Sequence, residues 1–288
     1  MVKLQHDGKK WIELEPYSKE GIYLDRKLKD KLDNIIKLRK RGFDTIFTID
    51  GDRRTGKSTL GMTCAHYLYP KLSIGNFVSG ISDALKIIQD LPDESVVIFD
   101  EGSLVFSSKD HANKEQKQLL KVVDVIGQKR MTMILIMPTF FELIRPMAVQ
   151  YSRFLLHVYT DKQLNRGRVA YFGTKKKRIL YTEGKKTYGS YRNPSADWIG
   201  RFTDFKPSFY DEYITLKNKS LRETLYGKNV PVISKKDYVE VSKIILKNNL
   251  KMDKPMTSYL LSTLLDIPDR TIRAYSKEIR EKSALANG

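Results

Sequence analysis

One stretch of this 288-residue chain combines glycines, a lysine and hydroxyl side chains at a spacing that suits phosphate binding. Residues 51–58 read GDRRTGKS, which fits the pattern G-x-x-x-x-G-K-[ST] between an apolar run and a helical stretch. Glycines let backbone N–H groups close around phosphate oxygens, the lysine neutralises β- and γ-phosphate charge, and the serine hydroxyl is a Mg²⁺ ligand. The predicted nucleotide contacts are Gly51, Asp52, Arg53, Arg54, Thr55, Gly56, Lys57, Ser58 and Thr59.

A pair of acidic residues forms a second candidate site. Asp100 and Glu101 follow the apolar run VVIF, one strand–helix unit after Lys57. Asp100 is predicted to hold the metal ion together with Ser58, and Glu101 to act as the general base toward the attacking water. An acidic pair also ends many strands or caps many helices, but its position relative to the glycine-rich stretch favours the paired interpretation.

Alternating apolar and amphipathic segments must position these residues. Short apolar runs, typical of strands buried on both faces, occupy residues 43–49, 74–78, 96–99, 131–137 and 154–159. Helical stretches lie between them at residues 57–69, 82–89 and 114–127. Strand–helix alternation predicts an α/β fold, a P-loop NTPase with a parallel sheet flanked by helices, followed by a smaller α-helical domain.

Composition shifts predict four segments. Residues 1–42 are an N-terminal lead-in with a short edge strand at 9–15 and a helix at 24–40. Residues 43–204 are the P-loop core, which the resemblance described below implies is an ATPase, and its part at 161–204 reads as a basic hairpin or loop. Residues 205–232 are a helical linker, and residues 233–288 are a helix-turn-helix-like domain.

The acidic pair and the layout of residues 126–146 resemble the P-loop ATPases that have an added strand and a dedicated catalytic glutamate. Within that class they are similar to the FtsK/HerA DNA-pumping ATPases and to the zonula occludens toxin-like phage ATPases. The resemblance implies ATP with Mg²⁺, and a polar sensor, commonly Gln, at the end of a buried strand. Met137 and Pro138 stand at that place here, so Thr139 is the candidate sensor and a helix N-cap its alternative.

The resemblance also raises the question of an arginine finger. Arg130 precedes the sensor strand, where it could reach the γ-phosphate bound by a neighbouring subunit. Arg53 and Arg54 lie inside the glycine-rich stretch, and viral packaging terminases resemble this chain in carrying an arginine there. The candidate catalytic set is Glu101, Lys57, Arg130, Arg54 and Thr139, and the alternative for each arginine is a surface charge or a charge at the rim of the phosphate site.

Charge predicts a polyanionic partner. The formal net charge is +18, which favours nucleic acid first and an acidic membrane surface second. Residues 161–192 hold ten basic and two acidic residues with interleaved aromatics, which suits a phosphate backbone and unstacked bases, and the predicted partner is double-stranded DNA. The candidate contacts Lys175, Lys176, Lys177 and Arg178 are predicted at a hairpin tip, and a solvated basic loop is the alternative.

The C-terminal residues resemble a helix-turn-helix or winged-helix domain. Predicted helices at 236–249, 256–265 and 269–282 are separated by a tight turn at 266–268, and Pro268 suits a helix start. Ile272 and Ile279 are expected to face the core, leaving Arg270, Thr271, Arg273 and Lys277 as candidate contacts in the major groove. A three-helix bundle used for oligomerisation is the alternative.

Three functions remain open from the sequence. The first is an ATP-driven DNA motor for translocation or viral genome packaging, acting as a homo-oligomer and possibly a ring. The second is an AAA+-like replication initiator or helicase loader, and the third is a DNA-binding regulator with a nucleotide switch. A single cysteine and the lack of an apolar stretch long enough for a bilayer predict a cytoplasmic protein, or a viral or mobile-element protein in the host cytoplasm.

Overall fold

The computed structural model describes residues 2–15, 21–78, 81–100, 113–226, 235–250, 256–258, 261 and 269–286. The chain divides into two compact units, Met1–Leu221 and Arg222–Gly288. The predicted domain limits at residues 204 and 232 remain predictions. Across the described ranges, no helix combines the length and the apolar character needed to cross a bilayer.

A small antiparallel sheet begins the first unit. It has the order β2-β1-β3, formed by β1 Val2–His6, β2 Trp11–Leu14 and β3 Ile22–Leu24. The predicted strand at 9–15 is therefore present, and β2 lies at the edge. Helix α1 Arg26–Lys40 follows, with the Asp25 side chain accepting a hydrogen bond from the Lys27 N–H as its N-cap.

The larger sheet, in the part of the chain that the structure describes, has the order β10-β9-β8-β4-β7-β6-β5. Strands β5, β6, β7, β4 and β8 pair in parallel, whereas β9 and β10 add antiparallel to β8. The α/β fold with a mostly parallel sheet is confirmed, and β7 lies between β4 and β6 as the added strand that the resemblance implies. The strands are β4 Thr45–Gly51, β5 Phe77–Val78, β6 Val96–Phe99, β7 Thr132–Ile136, β8 Ser152–Tyr159, β9 Arg168–Phe172 and β10 Trp198–Arg201.

Helices cover both faces of this sheet. Alternate residues of β4 face opposite sides, because Phe47 and Ile49 join one buried cluster and Ile46 joins the other. Helices α1 and α2 Lys57–Leu68 pack in the first cluster, and α3 Ile81–Asp90 and α4 Asn113–Gln128 pack in the second. The parallel strands thereby place the residues that follow β4 and β6 at one carboxyl edge.

The region after β9 corrects the prediction of a hairpin tip. Residues 175–178 lie in helix α5 Thr174–Lys186, and β10 then returns to pair with β9. The residues that α5 buries are Lys177, Leu180, Tyr181 and Gly184, a helical spacing of three and four. The apparent alternation at 177–181 was misleading, since one helix face packs on the cluster that contains Phe140 and Phe172.

Helix α6 Tyr210–Tyr226 crosses the boundary between the two units, and the described part of the second unit is helical. Helices α7 Lys235–Asn249 and α8 Asp269–Ala286 match two of the three predicted tail helices. Leu246, Leu261 and Ile272 form their buried cluster, and Ile279 packs against it, so both predicted core isoleucines are confirmed. The turn at 266–268 and most of the predicted helix 256–265 lie outside the described residues.

Candidate functional site

The glycine-rich loop leaves the carboxyl end of β4 and enters α2. Gly51 has φ +140°, and a Cβ there would lie 1.9 Å from the carbonyl oxygen of Val158, so glycine alone permits this approach to β8. Gly56, the N-cap of α2, has φ +103° in the left-handed region. The loop thus has the backbone conformation that the phosphate-binding pattern requires, with the N-terminus of α2 directed at it.

Lys57 lies in the first turn of α2 and folds back over the loop. Its Nζ donates hydrogen bonds to the carbonyl oxygens of Gly51 and Asp52, both at 2.6 Å. Burial lowers the pKa of Lys57, whereas the nearby carboxylates of Asp50 and Asp100 act in the opposite direction. The lysine therefore holds a positive charge against the loop, where phosphate charge would be neutralised.

Ser58 and Asp100 meet across the carboxyl edge. The Ser58 hydroxyl lies 3.2 Å from Oδ1 and 3.3 Å from Oδ2 of Asp100, although β7 separates the strands that precede them. The Asp100 side chain is 12% exposed. The sequence-predicted metal ligands are thus in direct contact, while Glu101 lies outside the described residues and its role stays a prediction.

Among the described residues, two side chains of α6 also contact Asp100, and neither was predicted from the sequence. The Tyr213 hydroxyl donates a hydrogen bond to Asp100 Oδ2, and Lys217 Nζ lies 3.1 Å from the same oxygen. Burial, followed by the charge of Asp100, raises the pKa of Tyr213, so this phenol stays protonated and remains a donor. No local motif marks these residues, because they reach the site through tertiary packing of α6, in which Tyr213 contacts Phe77.

A second carboxylate lies on the other side of the loop. Asp50, the residue before Gly51, is fully buried, and its Oδ2 accepts hydrogen bonds from the Phe140 N–H at 2.8 Å and from the Tyr191 hydroxyl. Nδ1 of His157 lies 3.0 Å from Oδ1, and the His157 ring stacks on Tyr191 with centroids 3.7 Å apart. This network, also missed from the sequence, ties the glycine-rich loop to the ends of β7 and β8.

Thr139 is a helix N-cap, which is the alternative to the sensor role that the sequence left open. It is the N-cap of the 3₁₀ helix Phe140–Glu142, its hydroxyl accepts from the Phe141 N–H at 3.4 Å, and it lies 3.4 Å from the Tyr191 hydroxyl. The sensor role of Thr139 stays a prediction. Among the described residues, the Thr139 hydroxyl contacts the Phe141 N–H and the Tyr191 hydroxyl that binds Asp50, and it does not contact Asp100.

The candidate arginine fingers occupy opposite edges of the sheet. Arg53 and Arg54 are exposed in the loop, and Arg54 has φ 62°. Arg130 precedes β7 at the amino edge, where it pairs with Asp93 and Glu94, each at 3.5 Å. β4 and β7 are parallel and start together, so Arg130 is separated from its own phosphate loop by the length of a strand.

The four basic residues predicted to contact DNA have different environments on α5. Lys175 and Arg178 are exposed, and Lys176 pairs with Asp197 at 3.3 Å. Lys177 is fully buried, donating to the Ala148 carbonyl and to the Ser152 hydroxyl, and burial lowers its pKa to about 7. The prediction that Lys177 contacts DNA is therefore wrong, because its ammonium group is inside the protein and cannot reach a phosphate backbone.

The tail candidates lie on α8. Arg270, Arg273 and Lys277 are exposed, whereas Thr271 is partly buried. They share a helix whose opposite face buries Ile272, which is the placement expected of either a DNA-reading helix or a plain bundle helix. Their DNA-binding role stays a prediction.

No protein-family model matches this chain, and no curated protein matches its sequence. The genome packaging NTPase B204 from Sulfolobus turreted icosahedral virus 2, in complex with AMPPCP, is 16% identical with a TM-score of 0.32, covering 47% of this chain and 95% of that chain. The N-terminal domain of zonular occludens toxin from Neisseria meningitidis is 11% identical with a TM-score of 0.39, covering 58% and 97%. AMPPCP-bound DnaA from Aquifex aeolicus is 11% identical with a TM-score of 0.34, covering 90% and 88%. These values assign the chain to none of those families, so its function has to be inferred from the geometry of the site.

Proposed function

We propose that this chain is a magnesium-dependent ATPase that acts on double-stranded DNA, as a translocation or genome-packaging motor. The observation that carries the proposal is the contact between Ser58 and Asp100 at 3.2 Å beside a glycine loop held by Lys57. A serine from the loop and an aspartate from a strand two positions away are the oxygen ligands that a nucleotide-bound Mg²⁺ uses.

The residues present fit such an ion. Ser58 and Asp100 supply a hydroxyl and one partly buried carboxylate, which are hard oxygen donors of the kind Mg²⁺ prefers beside phosphate and water. When bound, Mg²⁺ would neutralise charge on the β- and γ-phosphates of ATP. Lys57 and the backbone at the start of α2 bind and orient the phosphates, and Glu101 is proposed to take the proton of the attacking water.

The DNA partner is proposed from charge and exposure. The net charge of +18 favours a polyanion, and Lys175 and Arg178 are exposed at the start of α5. On α8, Arg270, Arg273 and Lys277 are exposed on the helix proposed to read the major groove. A homo-oligomer, possibly a ring, is part of the proposal, because Arg130 is too far from its own loop to act as a finger except toward a neighbouring copy.

The proposal is tested by measuring ATP turnover with and without double-stranded DNA. The wild-type rate is expected to rise with DNA, and Asp100→Asn and Glu101→Gln are each expected to lower it about 100-fold or more, since each removes a group required at the reacting phosphate. The matched control is Asp93→Asn, an identical change at the amino edge, where the aspartate pairs only weakly with Arg130.

A turnover that is unaffected by DNA and by both variants would contradict the motor and favour the nucleotide-switch regulator. Equal losses in Asp100→Asn and Asp93→Asn would show that the assay reports damage to the fold. Deleting residues 233–288 should weaken DNA binding if α8 reads DNA and leave it unchanged if the tail only joins subunits.

One observation favours the AAA+-like initiator or loader as a second candidate. Helix α6 follows the core and brings Tyr213 and Lys217 to Asp100, an arrangement compatible with a helical lid. Turnover as a function of DNA length separates the two, because a translocating motor turns over more ATP on longer DNA until its run length is reached. A loader is expected to respond to DNA independently of length.

A further inference from the structure

Helix α6 brings a positive charge to the proposed metal site. Tyr213 and Lys217 are four residues apart and therefore share one face of the helix. Oδ2 of Asp100 accepts hydrogen bonds from the Tyr213 hydroxyl and from Lys217 Nζ at 3.1 Å, while the Ser58 hydroxyl lies 3.3 Å away. One carboxylate oxygen thus serves three side chains, one of them a cation.

An ammonium group and a divalent cation are poorly compatible on the same carboxylate. Two positive charges within a few ångströms repel each other strongly in a partly buried site, and Mg²⁺ requires near-octahedral oxygen ligands that an ammonium cannot supply. A carboxylate offers about four lone-pair sites in total, and the groups around Asp100 already use several of them. A metal ion that binds to Ser58 and Asp100 therefore has to displace the Lys217 ammonium group from the carboxylate.

We propose that Lys217 and a divalent cation compete for Asp100, so that cation binding releases this contact of α6 and the contact in turn weakens cation binding. The proposal rests on the proposed function, since it concerns regulation of the same magnesium site. The contact of α6 that depends on the metal ion is the one made by Lys217.

The two α6 residues have different roles in this competition. The Lys217 side chain is 38% exposed, so its ammonium group borders solvent as well as the carboxylate. Tyr213 is 4% exposed and packs on Phe77 with ring centroids 5.2 Å apart. Lys217 is therefore the exchanging group, and Tyr213 keeps an uncharged donor on Asp100 that a cation tolerates.

The competition is tested with Mn²⁺, whose free form is measured by electron paramagnetic resonance, on the full chain alone and with a non-hydrolysable ATP analogue. Lys217→Met is expected to bind Mn²⁺ about fivefold more tightly than wild type, the size expected when one partly exposed ion pair no longer competes. The matched control Lys206→Met removes an exposed lysine that lies over the Tyr210 ring, and it should leave the affinity unchanged. Asp100→Asn should abolish the binding.

Hydrogen exchange of the α6 backbone provides a second measurement that does not depend on the affinity. In wild type, Mn²⁺ should speed exchange in residues 210–226, because the Lys217 contact is lost. In Lys217→Met, exchange there should already be faster and should respond little to Mn²⁺. Thermal unfolding of each variant verifies that it is folded.

Unchanged or weaker Mn²⁺ binding in Lys217→Met overturns the proposal, as does an equal gain in Lys206→Met, which would indicate general electrostatics. The proposal is also overturned if Lys217→Met shows no saturable Mn²⁺ binding, either alone or with the ATP analogue. Neither measurement requires ATP hydrolysis. A chain without ATPase activity whose Lys217→Met variant still gains affinity would defeat the proposed function alone, whereas an active ATPase with no gain would defeat the competition alone.

Discussion

Asp50 and Asp100 are two carboxylates at the same edge of the sheet, on either side of Lys57, and their surroundings differ. Asp50 is fully buried and receives the Phe140 N–H, the Tyr191 hydroxyl and His157. Asp100 is 12% exposed and accepts hydrogen bonds from side chains, among them that of the partly exposed Lys217. The first carboxylate is enclosed by partners from the core, whereas the second can exchange a partner with solvent. Two aspartates at one edge of the sheet therefore differ in whether their partners can exchange with solvent.

The strongest test of this contrast is Asp50→Ala. Removing the carboxylate leaves a buried N–H, a partly buried hydroxyl and His157 without their acceptor, so we expect a loss of about 3–5 kcal/mol in the free energy of unfolding, measured by urea denaturation. The control is Asp52→Ala, an exposed aspartate two residues later. A loss no larger than that of the control would end the distinction between the two carboxylates.

Asp100→Asn is expected to show the opposite balance. ATP turnover should fall about 100-fold, equivalent to about 2.7 kcal/mol in the barrier, while the free energy of unfolding changes by about 1 kcal/mol or less. Turnover and urea denaturation on the same preparation give both numbers. If unfolding stability fell as far as in Asp50→Ala, Asp100 would also have to be counted as part of the core.

Lys177 extends the comparison to a buried amine. Its Nζ donates hydrogen bonds to two uncharged acceptors, the Ala148 carbonyl and the Ser152 hydroxyl. Burial lowers its pKa to about 7 from an ordinary value of 10.5, so between those values the unfolded chain binds the extra proton. Stability should therefore rise with pH, by about 1.4 kcal/mol per unit around pH 8–9, and this rise should be lost in Lys177→Met.

Urea denaturation across that pH range measures the slope. The control Lys175→Met changes an exposed lysine in the same helical turn, and its stability curve should run parallel to that of wild type. A Lys177→Met variant that keeps the wild-type slope would mean that the ammonium is not desolvated.

The smallest expected effect is the difference in stability between two variants that each remove one hydrogen-bond donor, one from Asp50 and one from Asp100. Tyr191→Phe removes a donor from Asp50, which water cannot replace, and should reduce stability by about 1–2 kcal/mol. Tyr213→Phe removes a donor from Asp100, which keeps the charged partner Lys217, and should reduce stability by about half as much or less. Thermal or urea unfolding of the pair is the measurement, and equal losses would contradict the difference in enclosure.

The tertiary structure changed the interpretation where two local patterns compete. Residues 177–181 alternate enough to suggest a strand, but the set Lys177, Leu180, Tyr181 and Gly184 also fits one face of a helix, and packing selected the helix α5. Thr139 was a candidate sensor or a cap from the sequence, and its contacts with Phe141 and Tyr191 became visible only in the fold.

The sequence by itself determined the order of strands and helices from β4 to β8 and the glycine-rich loop, because these depend on apolar runs and glycines that are close together in the chain. It also placed Ser58 and Asp100 after two buried strands, and the parallel sheet then brought them to one edge. Only the tertiary structure decided which groups surround the two carboxylates. Asp50 receives Phe140, His157 and Tyr191, and Asp100 receives Tyr213 and Lys217, all from segments about 90 to 140 residues away along the chain. Such contacts arise from the packing of whole elements, and no spacing in one sequence encodes them.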